Sequence, residues 1–238
     1  MERKSFLRSL VIGAVSAPMV LEACKKTSAE GSTTTTATGG SSTSSCAVAP
    51  TETEGPFPTH SPASYVRSNI TDGKTGHLLA IKISVGNTNN GCNPLAGAIV
   101  DIWHCDAEGN YSEYGGSGMQ STNYTTLHFL RGRQITDANG LVNFTSIFPG
   151  WYGGRATHIH VHIYSAAGNS LKVTQIAFPE GAGSAVALVN GYSKGMSGYT
   201  YNKNDNVFSD DTKGIEIATV SGSLTAGFTL QMGISVPA

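Results

Sequence analysis

The sequence predicts an all-β protein whose short strands form an antiparallel sandwich or a partly open barrel. Several short runs alternate apolar with polar residues, which is the period of a strand whose two faces meet different surroundings. The 238 residues include 29 glycines, and this content is typical of a chain with many turns. No long amphipathic helix is evident, and strands at short, regular spacing are typical of sandwiches and barrels.

The first predicted strands lie before the middle of the chain. Leu78–Val85 alternates apolar with polar residues over its second half, and Ala98–His104 is rich in the β-branched and aromatic residues that favour strands. Phe129–Thr136 and Leu141–Ile147 flank Asp137–Gly140, whose Asp, Asn and Gly residues are common in tight turns. We therefore expect these two strands to form a β-hairpin.

A second hairpin and the closing strands are expected further along. His158–Tyr164 and Leu171–Ala177 flank another short turn sequence, Ala166–Asn169. Val220–Leu230 predicts one or two last strands.

Composition limits the class of partner. Charged residues make up 13% of the chain and the formal net charge is -1, so no basic groove for nucleic acid and no polybasic membrane patch is evident. We therefore expect no nucleic-acid partner.

Residues 1–24 resemble a bacterial signal peptide. Positive residues precede the apolar run Leu10–Leu21, which has the length of a signal-peptide core and is too short to cross a membrane as a helix. Leu21-Glu-Ala-Cys24 is similar to a lipobox, in which the cysteine becomes the lipidated first residue of the mature protein. A plain cleaved signal peptide with an incidental cysteine is the alternative.

The organisation expected from these segments is anchor, tether and domain. Residues 25–45 are rich in Ser and Thr without an apolar period, which predicts a flexible tether. Residues 46–238 would then form the folded domain. The expected location is the cell envelope, either periplasm or cell surface, with membrane contact through a lipid on Cys24.

Three cysteines fall in the expected domain. Cys46 and Cys92 lie at loop positions that flank strands, so we expect them to form a disulfide in an oxidising compartment. Cys105 lies at the end of a predicted strand and is expected to remain a buried thiol.

The residues most suggestive of chemistry lie between Pro149 and His160. His158 and His160 are two apart on a predicted strand, so both side chains point to one face and can reach one metal ion. These two histidines alone are equally consistent with zinc, copper or iron. Tyr152 lies just before them, and a phenolate is a hard, anionic donor that suits ferric iron.

Five motifs in order resemble the intradiol ring-cleavage dioxygenases, the family of catechol 1,2-dioxygenases and protocatechuate 3,4-dioxygenases. The motifs are Thr53–Phe57, Asp101–His104 with Gly109–Ser112, Phe129–Arg133 with Thr136, Asp137 and Gly140, then Pro149–His160, and finally Thr174–Gln175. Together they span roughly residues 50–180. The resemblance implies a prealbumin- or Ig-like β-sandwich with long active-site loops.

The resemblance also implies the roles of individual residues. The ligands of a non-haem Fe(III) would be Tyr111, Tyr152, His158 and His160. Tyr152 would be the axial ligand that leaves when substrate binds, and His158 the axial imidazole. Arg155 and Gln175 would be the active-site arginine and the glutamine behind the ligands. His162 continues the same strand face and is expected at the edge of the site.

The implied activity is cleavage of catechol-type aromatic rings by O2 to muconate-type dicarboxylates. The gap between Tyr152 and His158 is much shorter than in well-known soluble members, so the pocket is expected to be more open. The substituents of the substrate and the oligomeric state stay open. The alternative is a non-catalytic surface lipoprotein whose sandwich binds a ligand or polymer.

Overall fold

Two β-sheets packed against each other form the regular structure of the domain. A computed structural model describes residues 46–238, and the predicted signal peptide (1–24) and tether (25–45) lie outside the described residues. The first sheet contains β1 (Leu78–Asn87), β2 (Asn93–Pro94), β5 (Leu141–Ile147), β8 (Thr219–Ser223) and β9 (Gly227–Val236). The second contains β3 (Ile99–Trp103), β4 (Arg131–Ile135), β6 (His158–Tyr164) and β7 (Ser170–Ala177).

The strand order confirms the predicted all-β sandwich. In the second sheet the order is β4-β3-β6-β7, and each neighbouring pair is antiparallel. In the first sheet β1 pairs antiparallel with β2 and β5, and β8 pairs antiparallel with β9. The pair β1–β9 is parallel, which is possible because the chain between these strands passes through the other sheet and returns.

The two predicted hairpins have different outcomes. The hairpin of β6 and β7 is confirmed, with His158 opposite Ala177. The hairpin across Asp137–Gly140 is wrong, because β4 pairs with β3 whereas β5 pairs with β1 in the other sheet. The turn itself forms, but the Gly140 carbonyl accepts a hydrogen bond from the Val85 N–H (2.8 Å), which ties the turn to β1. This bond places β5 beside β1.

Residue alternation along β6 decides where the polar side chains lie. Ile159, Val161 and Ile163 are fully buried in the apolar core that both sheets share. His158 and His160 alternate with them and therefore point to the opposite face of the sheet, away from that core. Loops between the strands cover this outer face.

The predictions for Cys46, Cys92 and Cys105 are confirmed. A disulfide joins Cys46 to Cys92 with their Cα atoms 5.6 Å apart, and Cys105 is a buried thiol.

The helix α1 spans only Ala185–Val189. No helix within residues 46–238 has the length and apolar character needed to cross a bilayer.

Glu216 is a buried carboxyl group beside the edge of the second sheet. The backbone carbonyl of Glu216 accepts a hydrogen bond from Ala177 N–H (2.8 Å). Neither side-chain oxygen has a hydrogen-bond partner within residues 46–238. Burial raises the pKa of Glu216 from 4.5 to about 8, with a further contribution from the carboxylates of Glu52 and Asp211. Glu216 is therefore protonated in the folded protein at neutral pH.

We expect Glu216→Gln to stabilise the protein at pH 8 by about 1–3 kcal/mol, because at this pH the carboxyl group must take up a proton or bury a charge when the chain folds, and the amide does neither. Because the folded pKa lies above the ordinary value, the native protein loses stability as pH rises from about 4.5 to about 8. The amide cannot release a proton, so the gain should shrink as the pH falls toward 4.5. Urea unfolding at pH 5 and pH 8 measures both effects. The control is Glu108→Gln at an exposed site, and an equal change for the two variants at pH 8 would contradict this account of Glu216.

Candidate functional site

Two imidazoles and a phenol converge on the outer face of the second sheet. Nε2 of His158 lies 3.1 Å from Nε2 of His160 and 3.2 Å from the hydroxyl of Tyr111. All three side chains are buried. Metal–nitrogen bonds of about 2.1 Å place neighbouring ligand atoms about 3 Å apart, so these spacings suit a shared metal ion.

Hydrogen bonding leaves a lone pair of His158 directed at this cluster. Nδ1 of His158 lies 2.6 Å from the carbonyl oxygen of Ala156. A carbonyl only accepts, so Nδ1 carries the hydrogen and Nε2 of the neutral ring is free to bind a metal. Burial, with a smaller effect from Arg155, lowers the pKa of His158 to about 3, which keeps the ring neutral.

His160 is held by packing on both sides of its ring. Trp103 lies opposite it on β3, and the two rings stack with centroids 5.0 Å apart. On the other side, a Cβ at Gly55 would lie 2.8 Å from the His160 ring, so only glycine lets the backbone pass here. Burial lowers the pKa of His160 well below 6.5, so this imidazole is also neutral.

The two tyrosines come from loops that pack backbone against backbone. Tyr111 follows the turn after β3, and a Cβ at Gly109 in this turn would lie 2.2 Å from the carbonyl oxygen of Trp151. Gly109 has a φ of 90°, which glycine adopts without strain. This close approach brings the rings of Tyr111 and Tyr152 within 5.8 Å of each other, between centroids.

The phenol groups of Tyr111 and Tyr152 are suited to bind a cation. The ring of Tyr152 lies 5.6 Å from that of His158, and its buried hydroxyl has no hydrogen-bond partner among residues 46–238. Burial raises the pKa of Tyr111 well above 10 and also raises the pKa of Tyr152. Either phenol would ionise only beside a strong positive charge. Two neutral imidazoles with two such phenols therefore suit a hard, highly charged metal ion.

This donor set differs from the common metal clusters of proteins. Within residues 46–238 no three His, Cys, Asp or Glu side chains lie close enough to hold a metal ion. His162, the next residue on this face of β6, has both ring nitrogens bonded, to Glu54 at 2.9 Å and to Ser170 at 2.8 Å.

Arg155 and Gln175 lie directly beside the imidazoles. The guanidinium of Arg155 donates to Oε1 of Gln175 (2.7 Å), and its second terminal nitrogen lies 3.4 Å from Nε2 of His158. Gln175 in turn donates to the carbonyl oxygen of Thr53 (2.9 Å). The structure thus brings together the residues that the sequence singled out.

Sequence reasoning missed Asp205. Its buried carboxylate lies 3.0 Å from Nε of Arg155, on the long segment after β7. The same segment covers the short connection between Tyr152 and β6, since the Tyr199 hydroxyl accepts from Thr157 N–H (3.0 Å). Asp205 lies in a polar run, Asn202–Asn206, that reads as an ordinary turn, so no local signal distinguishes it.

Arg131 belongs to the Phe129–Arg133 motif, but the sequence alone indicates no role for it. It is buried on β4 and donates to the carbonyl oxygens of Ser112 (2.6 Å) and Phe57 (3.1 Å). The buried carboxylate of Glu113 lies 3.4 Å away and balances its charge. Arg131 thereby joins two loops and holds the Phe57 ring against that of Tyr111, at 4.7 Å between centroids.

Comparison with known proteins gives consistent matches. A family model described as Dioxygenase matches residues 54–208. Chlorocatechol 1,2-dioxygenase of Rhodococcus opacus is 30% identical over 104 residues, which are 36% of this chain and 38% of that protein. Catechol 1,2-dioxygenase of Acinetobacter baylyi is 29% identical over 148 residues, 53% of this chain and 45% of that protein. The chain therefore spans less than half the length of these two relatives.

A solved structure matches over a larger share. An intradiol ring-cleavage dioxygenase from Tetranychus urticae aligns with a TM-score of 0.69 at 29% identity, covering 81% of this chain and 96% of that one.

We expect Arg131→Met to lower the free energy of unfolding by roughly 3–5 kcal/mol, because Glu113 would lose its buried positive partner and the carbonyl oxygens of Ser112 and Phe57 would lose a donor. Adding Glu113→Gln should recover part of this loss, and urea unfolding of both variants measures it. Lys82→Met, at an exposed site on β1, is the control. A loss below about 1 kcal/mol for Arg131→Met would show that the pair does not hold these loops.

Proposed function

Since this chain belongs to the intradiol ring-cleavage dioxygenase family, we propose that it is a non-haem iron(III) enzyme. Its reaction would be the cleavage of catechol-type aromatic rings with O2 to muconate-type dicarboxylates. The observation that carries the proposal is the convergence of the Tyr111 hydroxyl with the Nε2 atoms of His158 and His160. The unpartnered hydroxyl of Tyr152 beside them supports it.

Four side chains would hold the iron, namely Tyr111, Tyr152, His158 and His160. When bound, ferric iron would act as a Lewis acid that lowers the pKa of both catechol hydroxyls and brings the ring to O2. Two phenolate ligands would lower the net charge of the centre and favour the ferric over the ferrous state. The protein's own part is to keep these donors dry and correctly oriented.

Tyr152 is the residue best placed to take up a substrate proton. Its hydroxyl oxygen is buried and makes no hydrogen bond, whereas Tyr111 lies against His158 and stacks on Phe57. As a phenolate, Tyr152 would accept a proton from a catechol hydroxyl. The high pKa that burial gives Tyr152 makes its oxygen a strong base once ionised.

Arg155 supplies the positive charge of the site. Its guanidinium is buried and held by Asp205 and Gln175, with one terminal nitrogen facing His158. A preoriented cation in a dry pocket stabilises negative charge that develops on the substrate during reaction. The charge of Arg155 is fixed in place before the substrate arrives, so no reorganisation is needed.

We also propose that the protein is exported and anchored to the cell envelope by a lipid on Cys24. The disulfide between Cys46 and Cys92 supports export, because disulfides persist in oxidising compartments. The signal-like and Ser/Thr-rich segments of residues 1–45 support an anchor followed by a tether.

Purified protein should contain about one iron per chain and absorb visible light through tyrosinate-to-iron charge transfer. Catechol added without oxygen should shift this band, and admitting O2 should consume catechol and oxygen in equal amounts. Tyr111→Phe should lose most of the band and the iron. Tyr164→Phe, on the same sheet but stacked on His162, is the control.

Two outcomes would overturn the proposal. One is a colourless protein with stoichiometric zinc. The other is bound iron without oxygen uptake from a panel of catechols, which would favour a binding protein or an inactive relative.

Cys24→Ser should move the protein from the membrane fraction to the soluble fraction of cells. The wild-type protein should gain the mass of lipid at Cys24, because the lipid is the expected membrane attachment. Cys105→Ser is the control, since this buried thiol lies far along the chain in the folded domain. A wild-type protein that is soluble after cell fractionation would contradict the anchor but not the enzyme.

A further inference from the structure

The carboxylate of Asp205 accepts hydrogen bonds from two separate parts of the site and from its own loop. It is fully buried at the end of the short turn Asn202–Asn204. Its oxygens accept from Nε of Arg155 (3.0 and 3.2 Å) and from Ala156 N–H (2.6 Å). A further bond, from Val207 N–H (2.8 Å), fixes Asp205 in its own loop.

The bonds to Arg155 determine where its guanidinium points. Nε is held by Asp205 and one terminal nitrogen is held by Gln175, so two of the three nitrogens are fixed. The remaining terminal nitrogen then faces Nε2 of His158 at 3.4 Å. Because guanidinium is planar, fixing two nitrogens sets the direction of the third.

The bond to Ala156 also connects Asp205 to the imidazole of His158. Ala156 donates its N–H to Asp205 and accepts at its carbonyl from Nδ1 of His158 (2.6 Å). That carbonyl sets the tautomer and tilt of the imidazole. A single carboxylate therefore supports both the cation of the site and one of its metal-binding rings.

The need for outside support follows from the short connection between Tyr152 and β6. Residues 153–157 include two adjacent glycines. Their local backbone support is the hydrogen bond from Arg155 N–H to the Tyr152 carbonyl (3.2 Å). Asp205 N–H and Ser209 N–H tie the supporting segment to itself through local bonds. This connection is therefore held in place by the segment after β7.

We propose that Asp205 is a positioning residue of the site, which acts through the guanidinium of Arg155 and through the peptide of Ala156. This inference rests on the proposed function and adds to it a residue that neither contacts substrate nor binds the metal.

The first test uses Asp205→Asn in the iron-loaded enzyme. The amide keeps the size of the side chain but loses its charge and one acceptor, so kcat for catechol should fall roughly 10–100-fold with KM changed less than about threefold. In an Arg155→Met background the same substitution should lower kcat less than it does in the wild type, because only the route through Ala156 and His158 remains. Asp210→Asn removes an exposed charge from the same segment and is the control.

The second test needs neither iron nor turnover. Proton–nitrogen NMR of the histidine rings in metal-free protein should show His158 as the single Nδ1–H tautomer in the wild type. In Asp205→Asn we expect a mixture of tautomers or faster exchange of this hydrogen, because Ala156 is no longer held. Urea unfolding of both proteins shows whether the variant is folded.

The outcomes separate this inference from the proposed function. A wild type without iron or oxygen uptake would reject the function, while the NMR comparison would still decide the role of Asp205. An active wild type with unchanged kcat and an unchanged His158 signal in folded Asp205→Asn would overturn the inference. Equal losses of kcat with and without Arg155 would also overturn it, because the route through Arg155 would then contribute nothing.

Discussion

The alternation of side chains along β6 is the constraint on which the rest of this structure depends. Ile159, Val161 and Ile163 complete the core between the sheets, so His158 and His160 must point away from it. A shift of one residue in the pairing of β6 would place imidazoles in the apolar core and isoleucines at the site. The antiparallel neighbours β3 and β7 hold this register, and they also place Trp103 and Gln175 on either side of His160.

Burial gives the site its electrostatic character. It lowers the pKa of both imidazoles and raises the pKa of both phenols, so every group is neutral until a cation arrives. Two buried ion pairs lie near these groups, Arg155 with Asp205 and Arg131 with Glu113. Each arginine also holds a neighbouring polar group or backbone carbonyl, because a desolvated charge requires its hydrogen bonds to be satisfied. The ion pairs therefore act as fixed points for the loops that carry the donors.

Loops that are distant in the chain depend on one another for their conformation. The turn at Gly109 can lie against Trp151 only because Gly109 has no side chain. Gly55 lets the backbone pass His160 for the same reason. The short connection before β6 is held by Asp205 and Tyr199, which belong to the segment after β7. The outer face of the second sheet is thus covered by several loops, which hydrogen bonds and a small aromatic cluster hold together.

The sequence by itself determined the all-β class and the β6–β7 hairpin, and it favoured the Cys46–Cys92 disulfide. The strands and the hairpin follow from short-range signals, namely the two-residue period and local turn residues. The grouping of Tyr111, Tyr152, His158 and His160 as candidates came from the resemblance of five motifs to a known family. Tertiary structure alone decided that the turn at Asp137–Gly140 joins two sheets, because β5 pairs with β1 along its whole length and β4 pairs with β3. It also decided that Asp205 supports Arg155, which is 50 residues away in the chain. Such contacts depend on how distant segments pack, and a turn or an aspartate carries no local mark of its long-range partner.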